Sequence, residues 1–167
     1  MMPIRQFSMI ILVASALSLI ACQSQDCAPG SGVSESDSNI SIAKKMYETL
    51  IAGDMEGAYA LMADDIRWTY HGGEGTIPFS GEYKGHAGIK RFFDDYDKVA
   101  MPLGMQIDTY SSSGDTVFVR GVENARIIAT GKTYAAPWVH VIRIENHKIV
   151  SYDEYIDSAM VADAFRK

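Results

Sequence analysis

Three side chains able to take up or release protons, His140, Glu154 and Asp157, interrupt an otherwise apolar pattern near the carboxyl end of the chain. They lie on two strand-like runs between Trp138 and Asp157, joined by a tight Glu145-Asn146-His147-Lys148 turn. An imidazole or carboxyl inside a sheet is costly to bury without a partner. Such groups belong where a sheet faces a pocket, so the hairpin points to a ligand site without naming the ligand. An earlier strand-like run puts Trp68 and Tyr70 on one face. An indole and a phenol there suit stacking and orienting a ligand as well as they suit filling a core.

Each of these residues also has a plainer reading. Asp157 stands where an aspartate would cap a following helix. Glu154 could be a surface carboxylate opposite Arg143, because glutamate is rarely buried unless paired. His140 could be a structural histidine. Glu123 and Arg126 interrupt the long central run, where they would be a pocket carboxylate and an exposed cation, and no role is assigned to either. Other chemistries lack their patterns. His71, His86, His140 and His147 sit in separate elements with no His-x-x-x-His or Cys-His spacing, so neither a metal nor any cofactor is expected. Gly72 to Gly75 lacks the lysine of a phosphate-binding loop, and no serine stands on a nucleophile elbow.

The elements that must position these residues can be read from periodicity. Ile40, Ala43, Met46, Tyr47, Leu50 and Ile51 share one helical face, with Asp37, Ser38 or Asn39 as cap and Gly53 as terminator. Asp54 caps a second short helix with Ala58, Leu61 and Met62 as its buried stripe, ending at Asp64-Asp65. A strand over 66–70, a glycine-rich loop over 71–75 and a third helix after Gly85, with Ile89, Phe92, Phe93 and Tyr96 on its apolar face, follow. After Met101-Pro102 the period becomes two, giving strands over 106–111, 116–129, 133–144 and 148–156. Short turns make that sheet antiparallel. The order predicts an α+β domain with the helices packed on one face of a curved antiparallel sheet, closed by a short helix over 157–165.

The first residues address location. Arg5 precedes an apolar run from Met9 to Ile20, and Leu19-Ile20-Ala21-Cys22 follows, which reads as a bacterial lipoprotein signal over 1–21. The run is short for a membrane span of about 20 residues. Cys22 would become the lipidated N-terminus and so the link to a membrane, leaving Cys27 without an intramolecular disulfide partner. Gln23 favours the outer membrane, facing the periplasm, over inner-membrane retention. Residues 22–39 are rich in Ser, Gly, Asp and Glu and read as a flexible tether, leaving 40–167 as one domain. A net charge of −6 without a cluster of Lys and Arg argues against nucleic acid as a partner.

Three segments carry a family resemblance: Ile-Ala-Gly-Asp-Met-Glu-Gly-Ala-Tyr-Ala-Leu-Met-Ala-Asp-Asp-Ile (51–66), Tyr-Lys-Gly-His-Ala-Gly-Ile-Lys-Arg-Phe-Phe (83–93) and Trp-Val-His-Val-Ile-Arg-Ile-Glu-Asn-His-Lys-Ile (138–149). The chain resembles the SnoaL-like, ketosteroid-isomerase-related branch of the nuclear transport factor 2-like superfamily over residues 40–165. The resemblance implies a cone-shaped fold, with the N-terminal helices packed in a strongly curved antiparallel sheet around an apolar cavity. Met46, Trp68, Tyr70, Phe92, Val139, Val141 and Ile156 are its expected pocket residues. It also implies that the isomerase tyrosine, base and protonated aspartate fall on Met46, Tyr70 and Val139, so the isomerase mechanism is not retained. The polyketide cyclases of the family place an aspartate acid/base near the end of the last strand, where Asp157 stands. His140, or Tyr70 and Trp68, would be the donor beside it, with Glu154 as a second carboxyl. By that alignment His140 alternates with Val139 and faces away from the pocket unless a bulge intervenes. Two functions follow as expectations. One is binding of a small apolar or aromatic molecule by a lipid-anchored domain. The other is an acid/base enzyme of cyclase, isomerase or epoxide-hydrolase type using Asp157. Members of the superfamily often pair through the outer sheet face, which makes a homodimer a further expectation.

Overall fold

The computed structural model describes residues 35–73 and 75–167. The signal segment 1–21, Cys22, Cys27 and the tether as far as residue 34 lie outside the described residues.

The first helix, α1 (Glu35–Ala52), begins inside the segment read as tether. Composition alone gives that polar stretch little reason to fold, and tertiary contacts supply it. Asn39 is buried and its Nδ2 donates to the Gly114 carbonyl at 3.3 Å, while the Ser36 and Ser112 hydroxyls share a hydrogen bond. Further along, Ala43, Met46 and Tyr47 form the buried stripe that the three- and four-residue spacing predicts. The helix stops at Gly53, whose φ of +72° suits glycine. Asp54 then caps α2 (Met55–Ala60), accepting from the Gly57 N–H at 2.9 Å.

Here the chain departs from the expected order. Helix α2 ends before Leu61, and strand β1 (Met62–His71) starts four residues ahead of Ile66. The reason is a long-range pairing, with Met62 opposite Ile149 and the Ile149 N–H donating to the Leu61 carbonyl at 2.9 Å. A short strand that periodicity did not reveal, β2 (Gly81–Lys84), pairs antiparallel with β1 and leads into α3 (Gly85–Val99). Strands β3 (Ala100–Ser113), β4 (Thr116–Ile127), β5 (Thr133–Glu145) and β6 (Lys148–Ile156) follow as an antiparallel meander, and α4 (Ser158–Phe165) ends the domain.

The six strands lie in the order β2-β1-β6-β5-β4-β3. The α+β class stands, but the cone-shaped, strongly curved antiparallel sheet does not. The sheet is open, with β2 and β3 as its two unpaired edges, and it is mixed, because β1 runs parallel to β6. Short turns constrain the direction only of the strands they join. Strand β1 reaches β6 through most of the domain, so no turn dictated its orientation.

Alternation along β5 decides which side chains face the helices. Tyr134, Ala136, Trp138, His140, Ile142 and Ile144 are buried, whereas Thr133, Ala135, Pro137, Val139, Arg143 and Glu145 are exposed. Trp138 is opposite Gly121 of β4, and the pairing is steric. A Cβ at residue 121 would run into the Gln106 carbonyl oxygen and the Trp138 indole. Gly121→Val should therefore destabilise the fold by about 1–3 kcal/mol through overpacking, whereas Val139→Ala on the outer face should change stability by less than about 0.5 kcal/mol. Urea denaturation of both variants measures the difference, and equal midpoints would contradict this account of the core.

Candidate functional site

A pocket of about 620 Å³ opens between α1, α3 and the inner sheet face. Its walls are aromatic. Tyr47 comes from α1, Trp68 and Tyr70 from β1, Phe92, Phe93 and Tyr96 from α3, and Tyr152 from β6. Trp68 stacks on Tyr152 with ring centroids 3.7 Å apart and leans against Phe92 at 5.6 Å. The pocket's exposed margin is apolar, with Ile51 70% exposed and Met105 39% exposed. Among these rings sit two carboxyls, Glu123 of β4 and Glu154 of β6, only 8% and 5% exposed.

Strand pairing brings the polar groups together. Tyr70, Glu154 and His140 occupy one cross-strand row, Tyr70 opposite Glu154 on the parallel pair and His140 opposite Glu154 on the antiparallel pair. His140 is fully buried and stacks on Trp138 at 3.8 Å. Its Nδ1 lies 2.6 Å from the Tyr47 hydroxyl and 2.5 Å from that of Tyr152. A neutral Nδ1 has one lone pair and accepts from one of them. With Nδ1 accepting, the ring proton sits on Nε2, 3.7 Å from Glu154 Oε1. That separation is too long for a hydrogen bond. Among the described residues, Glu154 Oε1, His140 Nε2, Tyr70 Oη and Trp68 Nε1 are buried without a hydrogen-bond partner in the protein.

Burial sets the protonation states. It lowers His140 to about 3 and raises Glu154 to about 8, so near neutral pH the two face each other as neutral imidazole and neutral acid rather than as an ion pair. Glu123 is raised to about 7, by burial first and by the charge of Glu154 second. The Tyr134 and Tyr96 hydroxyls, donating to its Oε1 at 2.5 and 3.1 Å, hold it from rising further. Burial also pushes Tyr47, Tyr70, Tyr96, Tyr134 and Tyr152 upward, which keeps them protonated donors.

The residues singled out in the sequence separate into two groups. Trp68, Tyr70, Phe92 and Glu154 line the pocket, and His140 lies directly behind Glu154. Val139 is 38% exposed on the outer face, with Val141 half-buried on that same face, so the alignment that put them inside was one residue out of register. That shift turns His140 inward rather than outward. Arg143 pairs with Asp115 and Glu145 at 2.9 and 2.8 Å, not with Glu154. Met46 is buried in the core while its neighbour Tyr47 reaches the pocket, because both lie on the broad buried face of α1. Ile156 packs against the core outside the lining. Asp157 caps α4, its Oδ1 accepting from the Met160 N–H at 3.2 Å, and is exposed and outside the pocket. Tyr96, expected only on the apolar face of its helix, and Tyr134 and Tyr152 carry no site role in the sequence reading, although Tyr152 shares strand parity with Glu154 and could have been found with it.

An α+β domain whose open sheet and helices enclose an aromatic pocket has the architecture of the NTF2-like proteins. One such protein from Burkholderia xenovorans LB400 superimposes with a TM-score of 0.69 at 27% identity, over 81% of this chain and 100% of its own. Another, from Burkholderia thailandensis E264, gives 0.70 at 25% identity over 77% and 98%. TerC, co-crystallised with polyporic acid, gives 0.67 at 26% identity over 76% and 97%. The chain belongs to the SnoaL-like domain family, whose model matches residues 43–152. No curated protein matches it.

The buried groups give the site a pH signature. Glu123 and Glu154, raised from 4.5 to about 7 and 8, keep protons in the folded state that the unfolded chain releases, so their contribution to stability falls as pH rises from about 4.5 through 8. His140, lowered from 6.5 to about 3, works in the opposite sense between those values. Two carboxyls outweigh one imidazole, so the melting temperature should decline from pH 5 to pH 8. In Glu154→Gln one carboxyl and one imidazole offset each other, leaving the profile nearly flat from pH 5 to 6.5. A wild-type melting temperature that climbs over this range in calorimetry would contradict the assignment.

Proposed function

We propose that this domain binds a small apolar or aromatic molecule in its pocket. The observation that carries the reading is a space of about 620 Å³ lined by seven aromatic side chains, with three polar atoms, on Trp68, Tyr70 and Glu154, left without partners in the protein. Pockets of this size with a few convergent polar groups suit ligands of drug-like size. The similarity to TerC, which was co-crystallised with polyporic acid, supports a small-molecule occupant.

A second reading draws on the His140–Glu154 contact. A neutral acid inside an aromatic pocket, backed by an imidazole at 3.7 Å, is suited to exchanging a proton with a bound carbonyl compound. Glu154 would be the acid/base and His140 its positioning residue, in place of the exposed Asp157. One experiment addresses both readings: a thermal-shift screen of the full-length protein against small aromatic carbonyl compounds, followed by turnover assays on the hits. Binding alone predicts a raised melting temperature that Tyr70→Phe diminishes, with no product. Catalysis predicts product formation lost in Glu154→Gln and retained in Asp157→Asn. Absence of any stabilising compound across the screen would count against both.

For location, we propose a lipid anchor on Cys22, holding the domain at the outer membrane of a bacterial envelope and facing the periplasm. The support is the sequence alone: Arg5, the apolar run from Met9 to Ile20, Ala21 before Cys22, and Gln23 after it. Radiolabelled palmitate should be incorporated into the wild-type protein and not into Cys22→Ser, which should leave the membrane fraction. Labelling that survives the substitution would exclude Cys22 as the attachment point.

A further inference from the structure

We propose that the pocket selects an organic cation, an amine or quaternary ammonium group on an apolar or aromatic body, with its charge held at Glu123 and Glu154. The proposal rests on the small-molecule reading above and specifies the chemical class of the ligand. Its first support is the charge inventory: the lining contains three acidic residues, Asp97, Glu123 and Glu154, and no lysine or arginine. Two of the three are buried. A buried carboxyl is retained against a stability cost unless something compensates it. Glu123 is compensated by two tyrosine hydroxyls, but Glu154 Oε1 has no partner in the protein, and its nearest basic neighbour, His140, is held neutral by burial.

The second support is the company these carboxyls keep. Faces of indole, phenol and phenyl rings attract a cation brought within about 6 Å of the centroid, and the attraction grows where water is excluded. Trp68, Tyr70, Phe92 and Tyr96 supply such rings around Glu123 and Glu154. An anionic ligand could use the free Trp68 and Tyr70 donors, yet it would have to sit beside two carboxyls with no cation in the lining. A neutral acceptor can take a hydrogen bond from protonated Glu154, but it brings no charge to balance the three acidic side chains of the lining. A fixed cation corrects the deficit by displacing the Glu154 proton to solvent, so that one positive ligand and one carboxylate enter the complex together. The proton balance is closed by the buffer.

The test compares benzyltrimethylammonium with neopentylbenzene, its carbon isostere of the same shape and no charge, at pH 7.5 on the full-length protein. Tryptophan fluorescence follows binding, since Trp68 lines the pocket. The cation is expected to bind about tenfold or more tightly than the isostere, equivalent to about 1.4 kcal/mol. Calorimetry in buffers of different ionisation enthalpy should show proton release with the cation only. Glu154→Gln and Glu123→Gln should each erase most of the preference for the cation over the isostere, and a melting curve for each variant confirms that it folds. Equal or tighter binding of the isostere would overturn the cation assignment and leave the small-molecule reading intact. Failure of both compounds to bind would overturn the cation assignment, and the broader reading would fall with it only if the carbonyl screen were also silent.

Discussion

The period of two in β5 and β6 is the constraint on which the site depends. A strand cannot turn one side chain inward without turning its second neighbour inward as well. Burying Trp138 and Ile142 against the helices therefore commits His140 to the interior, and burying Tyr152 commits Glu154. Antiparallel pairing then sets His140 and Glu154 opposite each other, and the parallel β1 adds Tyr70 to the row. Two ionisable groups thus enter an aromatic interior as a consequence of the sheet that buries their apolar neighbours.

Much of the surrounding structure accommodates that consequence. Tyr47 and Tyr152 serve one nitrogen of His140 and Trp138 stacks on its ring, so the imidazole is fixed in place, and burial keeps it neutral. Tyr96 and Tyr134 do the same for one oxygen of Glu123. Gly121 leaves room for the indole that supports His140. Glu154 Oε1 and His140 Nε2 are left without partners in the protein, and of these two residues Glu154 is the one that lines the pocket. A fully satisfied network would belong to a sealed core, whereas a buried carboxyl oxygen without a partner in the protein is a feature that calls for an explanation.

Some of this was legible in the residues. Helical spacing in α1 and α3, the Asp54 cap and the period-two runs of β4 to β6 are local signals, and local hydrogen bonds and burial reproduce them. The direction of the pocket face in β5 was also available, since Arg143 and Glu145 share parity with Val139 and mark that face as the outer one. The family resemblance overrode that signal and placed Val139 inside. Asp157 is an acid at a strand end, but an aspartate before a helix satisfies backbone N–H groups, and here the cap keeps it at the surface.

By itself, the sequence determined most of the elements, the α+β class and the presence of ionisable residues inside an apolar sheet, because these follow from periodicity, capping and composition over short stretches, while the family showed in the resemblance of three segments. Only the tertiary structure decided that β1 lies parallel to β6, that the sheet is open, that α1 starts at Glu35, and that Glu123 and Glu154 share one pocket. Those outcomes depend on contacts between residues far apart in the chain, such as Met62 with Ile149 and Asn39 with Gly114, whose energies no local pattern encodes. The same reason separates Asp157 from Glu154. Three positions apart in sequence, they are divided by the end of a strand, so one carboxyl faces water and the other faces the pocket.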